Sequence, residues 1–177
     1  MATVARDDRG IWTKAAVTVP AIVIVGFASG ALSNSGFTNS WYAALAQPSF
    51  QPPGWAFGMV WTTLYTMMGI ALAVVLDAPP SPARRRGLAL FGLQLLLNLC
   101  WSPNFFAMHA IDAALVLIIV TTVLLVATIA ALWRVRPLAG ALLLPYLAWL
   151  CLATALNFET GRLNPGADSH PLGITGA

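Results

Sequence analysis

Seven tryptophans stand among the 177 residues, and three of them recur in step with other aromatic and amide side chains. Phe57, Trp61, Tyr65 and Met68 are spaced by four, four and three residues. Gln94, Asn98, Trp101 and Phe105 follow at four, three and four, and Tyr146, Trp149, Ala153 and Asn157 at three, four and four. Each set makes one stripe on a helix. Flat apolar walls with a few neutral hydrogen-bonding groups are the usual make-up of a small-molecule pocket, where rings stack on the ligand and amides orient it. The amides Gln94, Asn98 and Asn157 also suit hydrogen bonds between helices. Acid–base and metal chemistry find little to work with. Cys100 and Cys151 lie in apolar runs and read as small buried hydrophobes, with no close Cys/His cluster. His109, beside Asp112, and His170 could each ligate a haem iron, but read more simply as a turn and a tail histidine. Glu159 and Arg162, at i and i+3, read as an ion pair at a helix end.

The stripes need a frame, and composition supplies it. The chain is 59% hydrophobic and 8% charged, with mean hydropathy +0.79, whereas a soluble domain carries about 25% charged residues. Five uncharged runs, 15–32, 55–76, 87–108, 113–133 and 138–158, match the roughly 17–25 residues of a membrane-spanning helix. The expected fold is an all-α membrane protein, a bundle of five transmembrane helices in domain 15–164, between a short basic tail (1–14) and a polar C-terminal tail (165–177). A signal peptide competes for the first run, but that run is long for one and further spans follow. The tail and the loops after spans two and four hold eight basic residues on one face, against Arg162 alone on the other. This bias places the N-terminus in the cytoplasm and loop 1 (33–54) on the opposite face. The net charge of +3 comes in short groups between apolar runs, a pattern that does not fit nucleic acid. Internal repeats are absent, which argues against an inverted-repeat transporter.

Depth brings the stripes together. At 1.5 Å per residue Trp61 lies roughly 9 Å below Trp55, and Trp101, Trp149 and Asn98 fall in the same outer half of the membrane, under loop 1. Trp12, Trp55 and Trp133 read instead as interfacial belt residues. The first and fourth spans look aliphatic on every face, and no ionisable side chain is expected inside any span. Gly26 and Gly30 form a GxxxG that suits close packing within the bundle. Pro103 and Pro145 fall inside spans three and five, where each would kink its helix. Loop 1 carries WYAALAQPSFQPPGW, aromatic and uncharged.

These segments resemble a known family, the translocator proteins (TspO/MBR), called tryptophan-rich sensory proteins in bacteria and the peripheral-type benzodiazepine receptor in animals. WYAALAQPSFQPPGW with FGMVWTTLYTMMG is similar to the family's loop 1 and second helix, QLLLNLCWSPNFF to its third and LLLPYLAWLCLATALN to its fifth. The resemblance runs from about Pro20 to Asn164. It implies a five-helix membrane protein, commonly a homodimer, that binds porphyrins, haem and, in animals, cholesterol and synthetic isoquinolines beneath loop 1. The positions matching its pocket are Tyr42, Pro52, Phe57, Trp61, Gln94, Asn98, Phe105, Trp149, Ala153 and Leu156. Trp101 joins them from the stripe analysis, and Trp41, Pro48, Pro53 and Trp55 belong to the lid. Three positions depart from the pattern. Gln47 replaces the usual Lys before Pro-Ser, Leu117 stands where many relatives carry Asp, and Leu156, Phe158 and Arg162 lack the tyrosine of the proposed cholesterol pattern, so cholesterol is not expected.

On this reading loop 1 is uncharged because it folds down as a lid, and its prolines lower the entropy lost on ordering it. The expected function is binding of a tetrapyrrole, protoporphyrin IX or haem, or of another apolar small molecule, for sensing, regulation or transport. A porphyrin transporter proper and a light-dependent porphyrin-degrading enzyme are the alternatives. No obligatory cofactor and no metal site are expected; a bacterial cell membrane suits the composition better than an outer membrane.

Overall fold

The computed structural model describes residues 9–175, and among them every regular element is helical. Helix α1 (Arg9–Leu32) leads into loop 1, which contains the short α2 (Ser40–Ala44). Then follow α3 (Gly54–Asp77), α4 (Pro82–Ser102) with a π-helical turn (Pro103–Ala107), α5 (Ile111–Val135), α6 (Pro137–Ala141) and α7 (Leu144–Leu163). Five segments are long and apolar enough to cross a membrane: α1, α3, α4 with its π turn, α5, and α6 with α7. The protein is an integral, multi-pass membrane protein. Helix α1 packs along α3 and touches α4; α4 lies along α5, α5 along α7, and α6 returns to α3. The spans thus close a ring in the order first, second, fifth, fourth, third.

Glycine sets the closest contact in that ring. A β-carbon at Gly69 would stand 2.6 Å from the Cα of Val19, so α1 and α3 meet backbone to backbone. The Thr18 hydroxyl uses this proximity to donate to the Gly69 carbonyl at 2.7 Å. Gly26 holds the Tyr65 ring against α1 in the same way, the in-bundle role expected of it, while Gly30 opens onto the cavity described below. At the basic end Lys14 pairs with Asp77, and Arg84 donates to the Val75 and Leu76 carbonyls at the end of α3. Trp12, Trp133 and Trp55 lie exposed near span ends, as belt residues do. Glu159 and Arg162 form the expected pair, at 2.6 Å.

The two flagged prolines act differently from a simple kink. Pro103 lacks the N–H that would bond to the Leu99 carbonyl, and Ser29 of α1 donates to that oxygen instead, at 2.6 Å. The helix then widens, with Met108 donating to the Pro103 carbonyl at 3.0 Å, and both Phe105 and Phe106 are buried. Pro145 does not bend a continuous span. The fifth span is broken between α6 and α7, and Pro145 sits in the first turn of α7, where a missing N–H leaves no helical bond unmade. Pro20 also lies within a helix, its ring exposed on α1.

Other boundaries shift as well. Residues 9–14, assigned above to the tail, already belong to α1; Arg6 lies outside the described residues. Asp112 was placed in a turn, yet it occupies the first turn of α5 and is fully buried, so the spans do contain an ionisable group. Cys151 is exposed on the outside of α7 rather than buried, because its face of the helix points away from the ring.

Substituting Gly69→Ala should therefore force α1 and α3 apart and lower stability by about 1–3 kcal/mol. Gly92→Ala, with nothing within 4 Å, should be neutral or stabilising. Thermal unfolding of the detergent-purified variants distinguishes the two.

Candidate functional site

The ring encloses a cavity of about 870 Å³ at the lid end, within the roughly 300–1,000 Å³ typical of small-molecule sites. Trp61 and Tyr65 of α3 form one wall, their rings 4.9 Å apart and tilted by 30°. Across from them Trp149 of α7 meets Phe57 edge-on at 5.5 Å and Trp61 at 6.4 Å. These aromatic contacts bridge the two helices, and the space behind them is the cavity. Trp101 supplies the third face, stacked on Phe105 at 5.0 Å.

Hydrogen bonds fix these rings. The Trp101 indole N–H donates to Asn157 Oδ1 at 3.2 Å, and Asn157 Nδ2 donates to the Ile111 carbonyl at 3.0 Å. One amide thereby ties α7 to α4 and to the start of α5. The Tyr65 hydroxyl donates to Asn98 Oδ1 at 3.3 Å. Ser35 of loop 1 bonds Ser102 at 2.7 Å, drawing the lid towards α4. No lining side chain is charged: the described residues facing the space are aromatic, small, aliphatic or neutral polar.

The predicted site residues divide cleanly. Tyr42, Phe57, Trp61, Asn98, Trp101, Phe105, Trp149, Ala153 and Leu156 all line the cavity. Gln94 does not; it lies one turn below Asn98, fully buried, with no hydrogen-bond partner for either amide atom. Pro52 does not either, although its neighbours Gln51 and Gly54 do. Of the lid set, Pro48 is buried beneath the loop, Pro53 precedes α3, and Trp55 points outward, 69% exposed. Trp41 packs beside the cavity rather than in it, stacked on His109 at 4.3 Å and edge-on to Phe105. Gln47, which replaces the family's lysine, braces the lid by donating to the Tyr42 and Leu45 carbonyls. Burial raises the pKa of the Tyr42 hydroxyl, opposed by a hydrogen bond with Gln51, so the lid presents a neutral phenol to the cavity.

Helix α1, expected to be aliphatic on every face, and the segment of loop 1 that follows it also wall the cavity. Gly26, Phe27, Ser29, Gly30, Ser35 and Phe37 all face the cavity. The signal was present in GFASGALSNSGF, whose small and polar residues leave room beside Tyr65 that an aliphatic helix would fill. From α5, Ile118 and Thr121 complete the floor.

Because Gln94 carries two unpartnered buried atoms, Gln94→Leu should raise stability by about 1 kcal/mol. Asn98→Leu, which strands the Tyr65 hydroxyl, should lower it by a similar amount. Thermal unfolding in detergent measures both.

The comparisons with known proteins agree with this architecture. A profile of the TspO/MBR family matches residues 16–163. Protein CrtK of Rhodobacter capsulatus is 36% identical over 140 residues, covering 78% of this chain and 86% of its own. The tryptophan-rich protein TspO of Chlorobaculum tepidum is 41% identical over 152 residues, covering 85% and 95%. The human translocator protein is 41% identical over 128 residues, covering 71% and 76%. With a family profile across most of the chain, and an aromatic cavity enclosed by five membrane spans, this chain belongs to the TspO/MBR family.

Proposed function

We propose that the protein binds a tetrapyrrole, protoporphyrin IX or haem, in the cavity beneath loop 1 and serves tetrapyrrole sensing, regulation or transport. The observation that carries this reading is the uncharged space of about 870 Å³ walled by Trp61, Trp101 and Trp149. Aromatic walls favour a flat conjugated ligand, with about 0.5–1.5 kcal/mol per stacked or edge-on pair beyond burial. The absence of charge from the described lining sets the ligand's orientation. An ionised carboxylate buried there would meet no cation, a costly state, so the propionates point outward to water and the macrocycle lies inward.

A second observation favours exchange of the ligand with the bilayer, the transport form of the same reading. A groove of about 530 Å³ on the outer surface between α3 and α7 is lined by Met59, Val60, Thr63, Pro145, Leu152 and the same Trp149 that walls the cavity. Trp149 thus lines both the interior and the lipid-facing groove, in ring contact with Phe57 and Trp61. A lateral route for an apolar ligand would run past this side chain.

Titration of the detergent-purified protein in the dark with protoporphyrin IX, and separately with haem, should quench tryptophan fluorescence saturably. The double variant Trp61→Ala/Trp149→Ala, checked for folding, should bind at least about tenfold more weakly, the equivalent of two aromatic contacts. Quenching that never saturates, or equal binding by the variant, would overturn the assignment. In proteoliposomes, Trp149→Ala should speed porphyrin flux if the lateral route operates; unchanged flux argues against it.

A further inference from the structure

The family profile stops at residue 163, yet the chain continues as an ordered segment through Thr175 that crosses over the lid end of the bundle. This segment holds on at two places. At its far end the buried Asp112 carboxylate accepts hydrogen bonds from the Leu172, Ile174 and Thr175 amides and from the Thr175 hydroxyl, at 2.8–3.2 Å. Asp168 returns the contact by accepting from the Asp112 amide at 2.7 Å, in the otherwise unsatisfied first turn of α5. A buried carboxylate without a cation is costly unless donors surround it. Here the tail supplies them.

At its near end the segment meets loop 1. Asn164 forms a reciprocal pair with Ala46, accepting from its amide at 2.7 Å and donating to its carbonyl at 2.9 Å. The Trp41 indole donates to the Ala167 carbonyl at 3.3 Å. Between the two ends, Ser169 donates to the carbonyl of His109, the residue on which Trp41 stacks. The anchor at α5 is buried and charge-assisted, whereas the Asn164–Ala46 pair is exposed to solvent. Charge-assisted bonds are the stronger kind, and exposed neutral bonds contribute little net. The grip on the lid is therefore the part that yields.

We propose that residues 164–175 are a clasp that holds loop 1 shut, so that release of the segment sets the rate at which the lid opens. Its role in ligand exchange rests on the cavity being the ligand site, as argued above; the clasp itself does not.

Hydrogen exchange on the ligand-free protein in detergent tests it. The reporters are the amides of Asn39, Ala43 and Leu45, whose hydrogen bonds run to carbonyls inside loop 1 and not to the tail. Two variants loosen the clasp. Ending the chain at Leu163 removes it. Gly161→Ala keeps it but places a β-carbon within 2.5–2.7 Å of the Thr175 side chain, while favouring the helix in which Gly161 sits. In either variant the reporter amides should exchange about tenfold faster or more, with the central turns of α3 and α7 unchanged. Unchanged reporter exchange in a folded variant whose tail has lost protection or been removed would overturn the proposal and leave the tail a cap on α5. Porphyrin titration of the unmodified chain decides the ligand assignment separately, so the two ideas fail independently.

Discussion

Hydrocarbon offers no partner for a hydrogen bond, so a polar group within the spans is costly unless it is satisfied inside the protein, a cost that the unpartnered Gln94 amide carries here. Most of this structure can be read as the consequence. The carbonyl freed by Pro103 takes the Ser29 hydroxyl of α1. The threonines of α5, Thr121 and Thr128, donate back to carbonyls one turn away. Asn157 spends both ends of its amide on neighbouring helices. The bonds of Ser29 and Asn157 join different helices and fix distances between them, so the same requirement that keeps polar groups satisfied helps space the helices around the cavity.

Packing explains why the lid end is hollow. Gly69 lets α1 and α3 come together at the basic end, while nearer the lid end the α3 side chains are Phe57, Trp61 and Tyr65. Large rings on α3 and α7 meet edge-on between the two helices, Trp101 of α4 stacks on Phe105, and together they wall the lid end. The small residues of α1 do not refill that space. Wide rings on three helices opposite small side chains on a fourth produce a walled opening rather than a core.

The lid is stabilised by this arrangement as well as covering it. Loop 1 has no charge to keep it in water, and it is drawn onto the bundle by Ser35–Ser102, by Asn39 donating to the Phe106 carbonyl, and by the Trp41–His109 stack. The tail binds it from above. The buried aspartate at the start of α5 takes its donors from a chain segment, for which it is the socket.

Hydropathy and helical spacing by themselves determined the five spans and pointed to Phe57, Trp61, Asn98, Trp101, Phe105, Trp149 and Ala153, which line the cavity, because both depend only on neighbours in the chain; Tyr42 and Leu156 came from the family resemblance. The sequence also carried enough motif to identify the family. Tertiary structure decided what spacing cannot: that Gln94 turns below the floor while Asn98, four residues on, reaches the cavity, and that Pro52 is bypassed between two residues that line it. It also decided that α1 is a wall, that the fifth span is broken before Pro145, and that a polar tail reaches back to Asp112. Each of these depends on which helix stands opposite, or on a contact between residues far apart in sequence. No local pattern encodes either.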